Sequence, residues 1–285
     1  MPPRAAGALL AAVAASTWGL WSLFLRGSAL SGPAVTATVL AVMALPLPFA
    51  FRRSALRDRG ALAALVLLAA ADTGNAGFYF AALRDGPVAV AVLTHYLAPL
   101  LVALLAPRLL GEAPSSRAPW AALASLVGLA LVLGRPRGIA VSTALLGAAS
   151  AGFYAVVLIS GKRALRSFGP LALNALHAPL SIALLLALFG RSALPAPSAG
   201  LGRVLAGALL CGVGANVLFY AGLRRVTAQV ASALTWLEPL AATAVGAIAF
   251  GERLPPTALL GAALVLASGV WVAFEPGPAS PVTRA

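Results

Sequence analysis

The sequence predicts an all-α integral membrane protein, with ten transmembrane helices laid out as two inverted five-helix repeats, and three observations predict it. Of the 285 residues, 61% are hydrophobic and 9% are charged, against roughly 25% charge in a soluble domain. Apolar runs of roughly 17–24 residues, the length that crosses a bilayer core as a helix, recur along the whole chain. The chain also repeats itself across its middle.

The runs fall at roughly 8–25, 34–51, 60–82, 87–106, 119–134, 140–160, 170–189, 202–222, 227–249 and 257–274. Each is interrupted by a short stretch holding Arg, Pro or Gly. Hydrocarbon offers no hydrogen-bond partners, so a span is a helix or part of a closed barrel, and these runs lack the period-two alternation of barrel strands. The first run follows Arg4 as a secretory signal would. Its core continues through Trp18, Gly19 and Trp21 with nine more spans behind it, so a retained helix is expected. Little chain remains between spans for a soluble catalytic or ligand-binding domain. Any function therefore sits inside the bundle.

The repeat is explicit. From Leu83 to about Leu133 the chain aligns with Leu223 to about Ala273 at an offset of 140, matching Leu83-Arg84 with Leu223-Arg224, Pro99 with Pro239, and Gly111-Glu112 with Gly251-Glu252. Just upstream the offset is 141, and Asn75, Phe78 and Tyr79 match Asn216, Phe219 and Tyr220. Two units are expected, 1–136 and 137–275, followed by a tail at 276–285. Five spans per unit make the second copy enter the membrane from the opposite side. That is the plan in which similar halves rock about a site near the midplane.

Net charge of +13 comes from basic residues between spans, so it reports orientation rather than nucleic acid. With the N-terminus cytoplasmic, thirteen Lys and Arg lie inside, including Arg52, Arg53, Arg57, Arg59, Lys162, Arg163, Arg166 and Arg284; seven lie outside, including Arg135 and Arg137. Both termini are expected in the cytoplasm of a cell whose plasma or inner membrane holds the protein. The Arg clusters at 52–59 and 162–166 read as topogenic and phospholipid-facing. The single cysteine, Cys211, excludes an internal disulfide and a cysteine-based metal site. No cofactor motif, no Gly-x-x-x-x-Gly-Lys-Ser/Thr loop, no His-Glu-x-x-His and no Gly-x-Ser-x-Gly pattern occurs, which argues against an ATP-driven pump or an intramembrane enzyme.

The second half, with Leu237-Glu238-Pro239-Leu240, Phe250-Gly251-Glu252-Arg253-Leu254 and Leu260-Gly261-Ala262-Ala263-Leu264, resembles the EamA-like permeases of the drug/metabolite transporter superfamily. The first half carries the weaker form, with Trp18-Gly19, Pro99 and Gly111-Glu112. The resemblance covers essentially the whole chain. It implies ten helices and secondary transport, often export of amino acids or other metabolites, and names no particular substrate. The first copy has Ala98 where the second has Glu238, so a mid-helix carboxylate is supplied by one half alone.

Ionisable groups at membrane depth cost about 2.5–3.5 kcal/mol each on insertion scales, so each calls for a partner or a function. Glu238 lies roughly 17 Å into its span, near mid-membrane, and Pro239 leaves a carbonyl one turn back without its helical partner. Asp72, Asn75 and Tyr79 share a face of the third helix, as a binding stripe or as a hydrogen-bonded packing seam. His95 is the repeat mate of Thr235, three residues before Glu238. His177, with Asn174 one turn earlier, is a weaker candidate. Trp18, Trp21, Tyr96, Tyr154 and Trp236 offer aromatic walls suited to an ammonium group or to helix anchoring. Gly111, Glu112, Gly251 and Glu252 read as helix-end structure. The expected partners are a small-molecule substrate, the lipid bilayer and protons, with no nucleic acid; monomer and homodimer both fit. A lipid-handling or flipping protein of the same architecture is the alternative reading.

Overall fold

The computed structural model describes residues 2–50, 57–134, 140–197 and 199–275, leaving aside the side chain of Asp85. Arg52, Arg53, Arg135, Arg137, Arg284, the tail 276–285 and the boundary at 136/137 lie outside the described residues. The described residues are helical, without strands. In chain order the helices are α1 (Pro3–Leu25), α2 (Gly32–Ala44), α3 (Arg59–Asp85), α4 (Val88–Leu110), α5 (Ala118–Leu133), α6 (Val141–Ala164), α7 (Pro170–Phe189), α8 (Leu201–Leu223), α9 (Ala228–Phe250) and α10 (Ala258–Ala273).

Seven of these are long and apolar enough to cross a membrane; α2, α5 and α10 are shorter. Prolines account for the shortening. Pro46 and Pro48 divide the second run into α2 and the turn Leu47–Ala50, and Pro119 and the pair Pro255-Pro256 set where α5 and α10 start. Three long helices are broken in mid-course. α1 divides into Pro3–Trp18 and Trp21–Leu25, α4 into Val88–His95 and Ala98–Leu110, and α9 into Ala228–Leu234 and Leu237–Phe250. The breaks in α4 and α9 are repeat mates, each just ahead of its proline, Pro99 or Pro239.

The helices pack across the repeat boundary. The main contacts of α3 are with α6, of α1 with α8, of α5 with α10 and of α2 with α7, while α6 also takes α4 and α1 also takes α9. Exchanging each helix for its repeat mate maps this set of pairs onto itself. Small residues permit the closest crossings: a Cβ at Gly128 would stand 2.7 Å from the Gly261 carbonyl, and one at Gly261 would meet the Gly128 carbonyl in turn.

The two ends of the bundle are built differently. At the near end, which carries Gly111, Lys162, Leu223 and Glu275, basic side chains of α6 and the turn after it bind backbone carbonyls of both halves. Lys162 donates to the carbonyls of Leu223 and Val226, each at 2.5 Å. Arg163 and Arg166 donate to Leu109 and Leu110, at 2.6 and 3.0 Å. This corrects the phospholipid-facing part of the reading of the 162–166 cluster. Helix ends leave carbonyls unpaired, and these cations satisfy the ends of α4 and α8. At the far end, which carries Arg26, Gly190 and Gly251, the cross-half bonds among the described residues include Arg26 with Glu252, Ser31 with the Ser192 carbonyl, and the Ala29 amide with the Ala199 carbonyl.

Candidate functional site

Between the two ends the bundle encloses a cavity of about 450 Å³. Its polar lining is Thr36, Asp72, Asn75, His95, His177, Asn216 and Glu238; its aromatic lining includes Trp18, Trp21, Tyr79, Phe80, Tyr154, Phe219 and Tyr220. Val157, Leu158 and Tyr220 form its near-end floor. Toward the far end the lining continues through Trp21, Leu25, Val35 and Leu83. No Lys or Arg occurs among the described lining residues.

The break in α9 delivers Glu238. The chain makes a tight turn in which the Glu238 amide donates to the Thr235 carbonyl at 3.0 Å. The carbonyl that Pro239 was expected to leave unpaired is therefore satisfied, because the turn tightens to a three-residue spacing. The break in α1 lies against this turn. A Cβ at Gly19 would stand 2.7 Å from the Glu238 carbonyl and 2.5 Å from Cβ of Ala241, so only glycine permits the approach. Tyr79, Tyr96 and Tyr154 surround the Glu238 carboxyl, and Tyr96 reaches it with its hydroxyl.

Asp72 faces His177 across the α3–α7 contact, with Nε2 of His177 3.7 Å from Oδ2. The other imidazole nitrogen, Nδ1, is 3.0 Å from the Leu173 carbonyl. A carbonyl only accepts, so Nδ1 carries a hydrogen, and Nε2 is the nitrogen turned to Asp72, which it partners when it carries one as well. The His177 side chain is 3% exposed, whereas that of Asp72 is 31% exposed, which leaves part of its carboxylate open to the cavity.

The two repeat-related asparagines hold equivalent places in two different networks. Asn75 Oδ1 accepts from the Ser150 hydroxyl on α6 at 2.8 Å, and Ser150 Oγ in turn accepts from His95 Nδ1 at 2.8 Å. Asn216 Oδ1 accepts from the Trp18 indole on α1 at 2.8 Å. Each asparagine is thus bonded to the first helix of the opposite half. His95 is enclosed by Tyr79, Tyr96 and Tyr154, at ring-centroid distances of 4.4, 5.3 and 5.4 Å.

Three residues expected at the site stand behind it. Trp236 is 1% exposed and packs on Tyr96, Leu129 and Val265 rather than lining the cavity. Successive helix residues are about 100° apart, so a side chain two before Glu238 points away from it. Tyr96 is buried in the same cluster, its ring against His95 and Trp236 and its hydroxyl on Glu238. Thr235 is fully buried, its hydroxyl donating to the Ser232 carbonyl at 2.7 Å, because the break in α9 takes it off the face that bears Glu238. Asp72, Asn75, His95, Trp18 and Glu238 are brought together around one space.

Sequence reasoning missed Ser150 and the π-helical stretch Ala208–Ala215 of α8. A π-turn misaligns backbone carbonyls, and two of these are taken by side chains: Cys211 accepts from the Trp18 indole at 3.2 Å, and Gly212 from Asn174 at 3.4 Å. The run Cys211-Gly212-Val213-Gly214 was the available signal, though glycines in a membrane helix more often mark close packing.

Comparison with known proteins places this geometry in context. The model of the EamA-like transporter family matches the chain twice, at residues 5–134 and 139–274. An uncharacterized transporter of Archaeoglobus fulgidus is 33% identical over 232 residues, covering 80% of this chain and 81% of that protein. A protein known by its crystal structure superposes with a TM-score of 0.78 at 24% identity, covering 95% of this chain and 98% of its own. The last likeness bears on the fold alone.

Proposed function

The chain belongs to the EamA-like transporter family of integral membrane proteins, and from that premise we propose that it is a secondary transporter that exports small amphipathic metabolites, amino acids or their relatives, by alternating access. In this reading the ten helices are all transmembrane and form two inverted units, 1–136 and 137–275, with the tail 276–285 and the N-terminus in the cytoplasm beneath the cell membrane. The near end is then cytoplasmic. A proton gradient is the driving force, and no cofactor takes part.

The observation that carries the reading is the cavity itself. It lies at mid-bundle, holds two carboxylates among aromatic faces, and is bounded by both halves. Its near end is bridged by Lys162, Glu112 and Gln229, while its lining runs on toward the far end. A site walled off from one side is what alternating access requires of each of its two states. Proline and glycine breaks at Pro99, Pro239 and Gly19 place irregular backbone where it borders a cavity rather than lipid.

The test is uptake of labelled amino acids, amines and sugars into inside-out vesicles holding the wild-type chain or Glu238→Gln, with and without an imposed pH gradient. The expected result is gradient-dependent accumulation of one class by the wild type and its loss in the variant at equal expression. Accumulation unchanged in Glu238→Gln would remove this carboxylate from the mechanism. Absence of transport for every compound would turn the reading toward lipid movement by the same fold.

A further inference from the structure

Resting on the transporter reading above, and narrowing its substrates from amino acids to relatives that carry no carboxylate, we propose that the cavity recognises a ring-bearing organic monocation and holds no place for a substrate carboxylate. The argument is an inventory of charge and hydrogen-bond donors. Asp72 already faces His177 Nε2 at 3.7 Å, whereas Glu238 has no Lys or Arg beside it among the described lining residues. A carboxylate at membrane depth without a positive partner is costly, and one positive charge on a ligand supplies that partner.

Donors able to receive a ligand carboxylate are already committed. His95 gives its Nδ1 hydrogen to Ser150, His177 gives its own to the Leu173 carbonyl, and the Trp18 indole is shared between Asn216 and the Cys211 carbonyl. What remains is the Asn75 and Asn216 amides, the Trp21 indole and the tyrosine hydroxyls, which are neutral and weaker than a guanidinium or ammonium toward an anion. A zwitterion entering this space brings its own carboxylate beside Glu238 and Asp72 with no cation to balance it. Tyr79 and Tyr154, which line the cavity together with Glu238, add aromatic rings that favour a positive charge further. The volume suits a ligand of one or two rings.

The experiment uses three probes that share one ring and differ in charge: tyramine as the cation, L-tyrosine as the zwitterion and 3-(4-hydroxyphenyl)propionate as the anion. Equilibrium binding to the purified full chain is measured at neutral pH, with wild type, Glu238→Gln and Asp72→Asn; size-exclusion profiles confirm folding, and Asp72→Asn serves if Glu238→Gln does not fold. The expected result is tyramine at least about tenfold tighter than L-tyrosine, no binding of the anion, and loss of that preference in either variant. L-tyrosine or the anion binding as tightly as tyramine overturns the proposal. So does failure of all three to bind while the vesicle panel reports transport of an uncharged or anionic compound, an outcome that leaves the transporter reading intact. Failure in both assays removes both.

Discussion

Glu112 and Glu252 are repeat mates, each following a glycine in the left-handed conformation, φ +67° at Gly111 and +65° at Gly251. Their surroundings differ sharply. Glu112 is 12% exposed; it accepts the Ala228 amide at the start of α9 at 2.8 Å and stands 3.5 Å from Lys162 Nζ. Glu252 is 56% exposed and meets Arg26, itself 54% exposed, at 3.1 Å. One motif thus ties together the near end of the bundle and rests loosely at the far end. If the halves alternate as proposed, an inverted repeat places the same device at both faces of the membrane, engaged at one face at a time.

The largest expected effect is at the tightly held copy. Glu112→Ala leaves the Ala228 amide without its acceptor and Lys162 without its countercharge in a mostly buried place, and should cost about 1–3 kcal/mol of stability, read as a drop in the unfolding midpoint in detergent. Glu252→Ala removes an exposed pair worth about 0–1 kcal/mol and should shift that midpoint little. Equal losses would break the contrast between the ends.

A smaller effect is expected where the halves are tied at mid-bundle. Asn75→Ala strands a Ser150 hydroxyl that still has the Asn75 backbone carbonyl at 3.3 Å, and Asn216→Ala strands a Trp18 indole that still has the Cys211 carbonyl at 3.2 Å. Each should cost about 1 kcal/mol, and the double variant should lose close to the sum. A much larger loss in one alone would show that the two networks are not equivalent.

The smallest effect separates the ends by pH. Glu275 is raised by partial burial, but hydrogen bonds from Ser115, Ser116 and the Arg117 amide outweigh this and hold it below the ordinary value of 4.5. Asp58 is held below its ordinary value by the Ser167 hydroxyl and then by the Ala61 amide, whose helix start it caps. A carboxyl depressed on folding contributes stability that is fully present above its unfolded value and lost as pH falls through the folded one. Hydrogen exchange at residues 113–117 and 58–62 should therefore quicken as pH drops below about 4, after correction for the intrinsic rate, with segment 251–257 unaffected. Uniform loosening would contradict the assignment.

Much of the fold was legible because the bilayer imposes it. Ten runs were read, and each has its helix within a few residues of the expected place; where α2, α5 and α10 fall short, prolines visible in the sequence cut them. The repeat at offset 140 located Pro99, Pro239 and the glycine-glutamate corners before any geometry was known. The site was legible in its ionisable members, since burying Asp72, His95 and Glu238 is costly enough to mark them. Of its aromatic members, Trp18, Trp21, Tyr79 and Tyr154 were named from the sequence and line the cavity, whereas Tyr96 and Trp236 stand behind it. Proximity in sequence put Trp236 beside Glu238, whereas helical phase turns it into the packing against Tyr96. Lys162 was misread as phospholipid-facing because a basic residue after an apolar run looks the same in sequence whether it meets a phosphate or an orphaned carbonyl.

The most direct test of alternation between these ends is to lock the near one. Ser115 and Gln229 meet there across the halves, the Ser115 amide donating to the Gln229 side chain at 2.9 Å. In a Cys211→Ala background, Ser115→Cys and Gln229→Cys can be bridged by a bifunctional thiol reagent with a reducible link, and vesicle transport measured before bridging, after it and after reduction. The expected result is transport abolished by the bridge and restored when it is cut. Transport that continues unchanged with the bridge fully formed would contradict the claim that the near end must open.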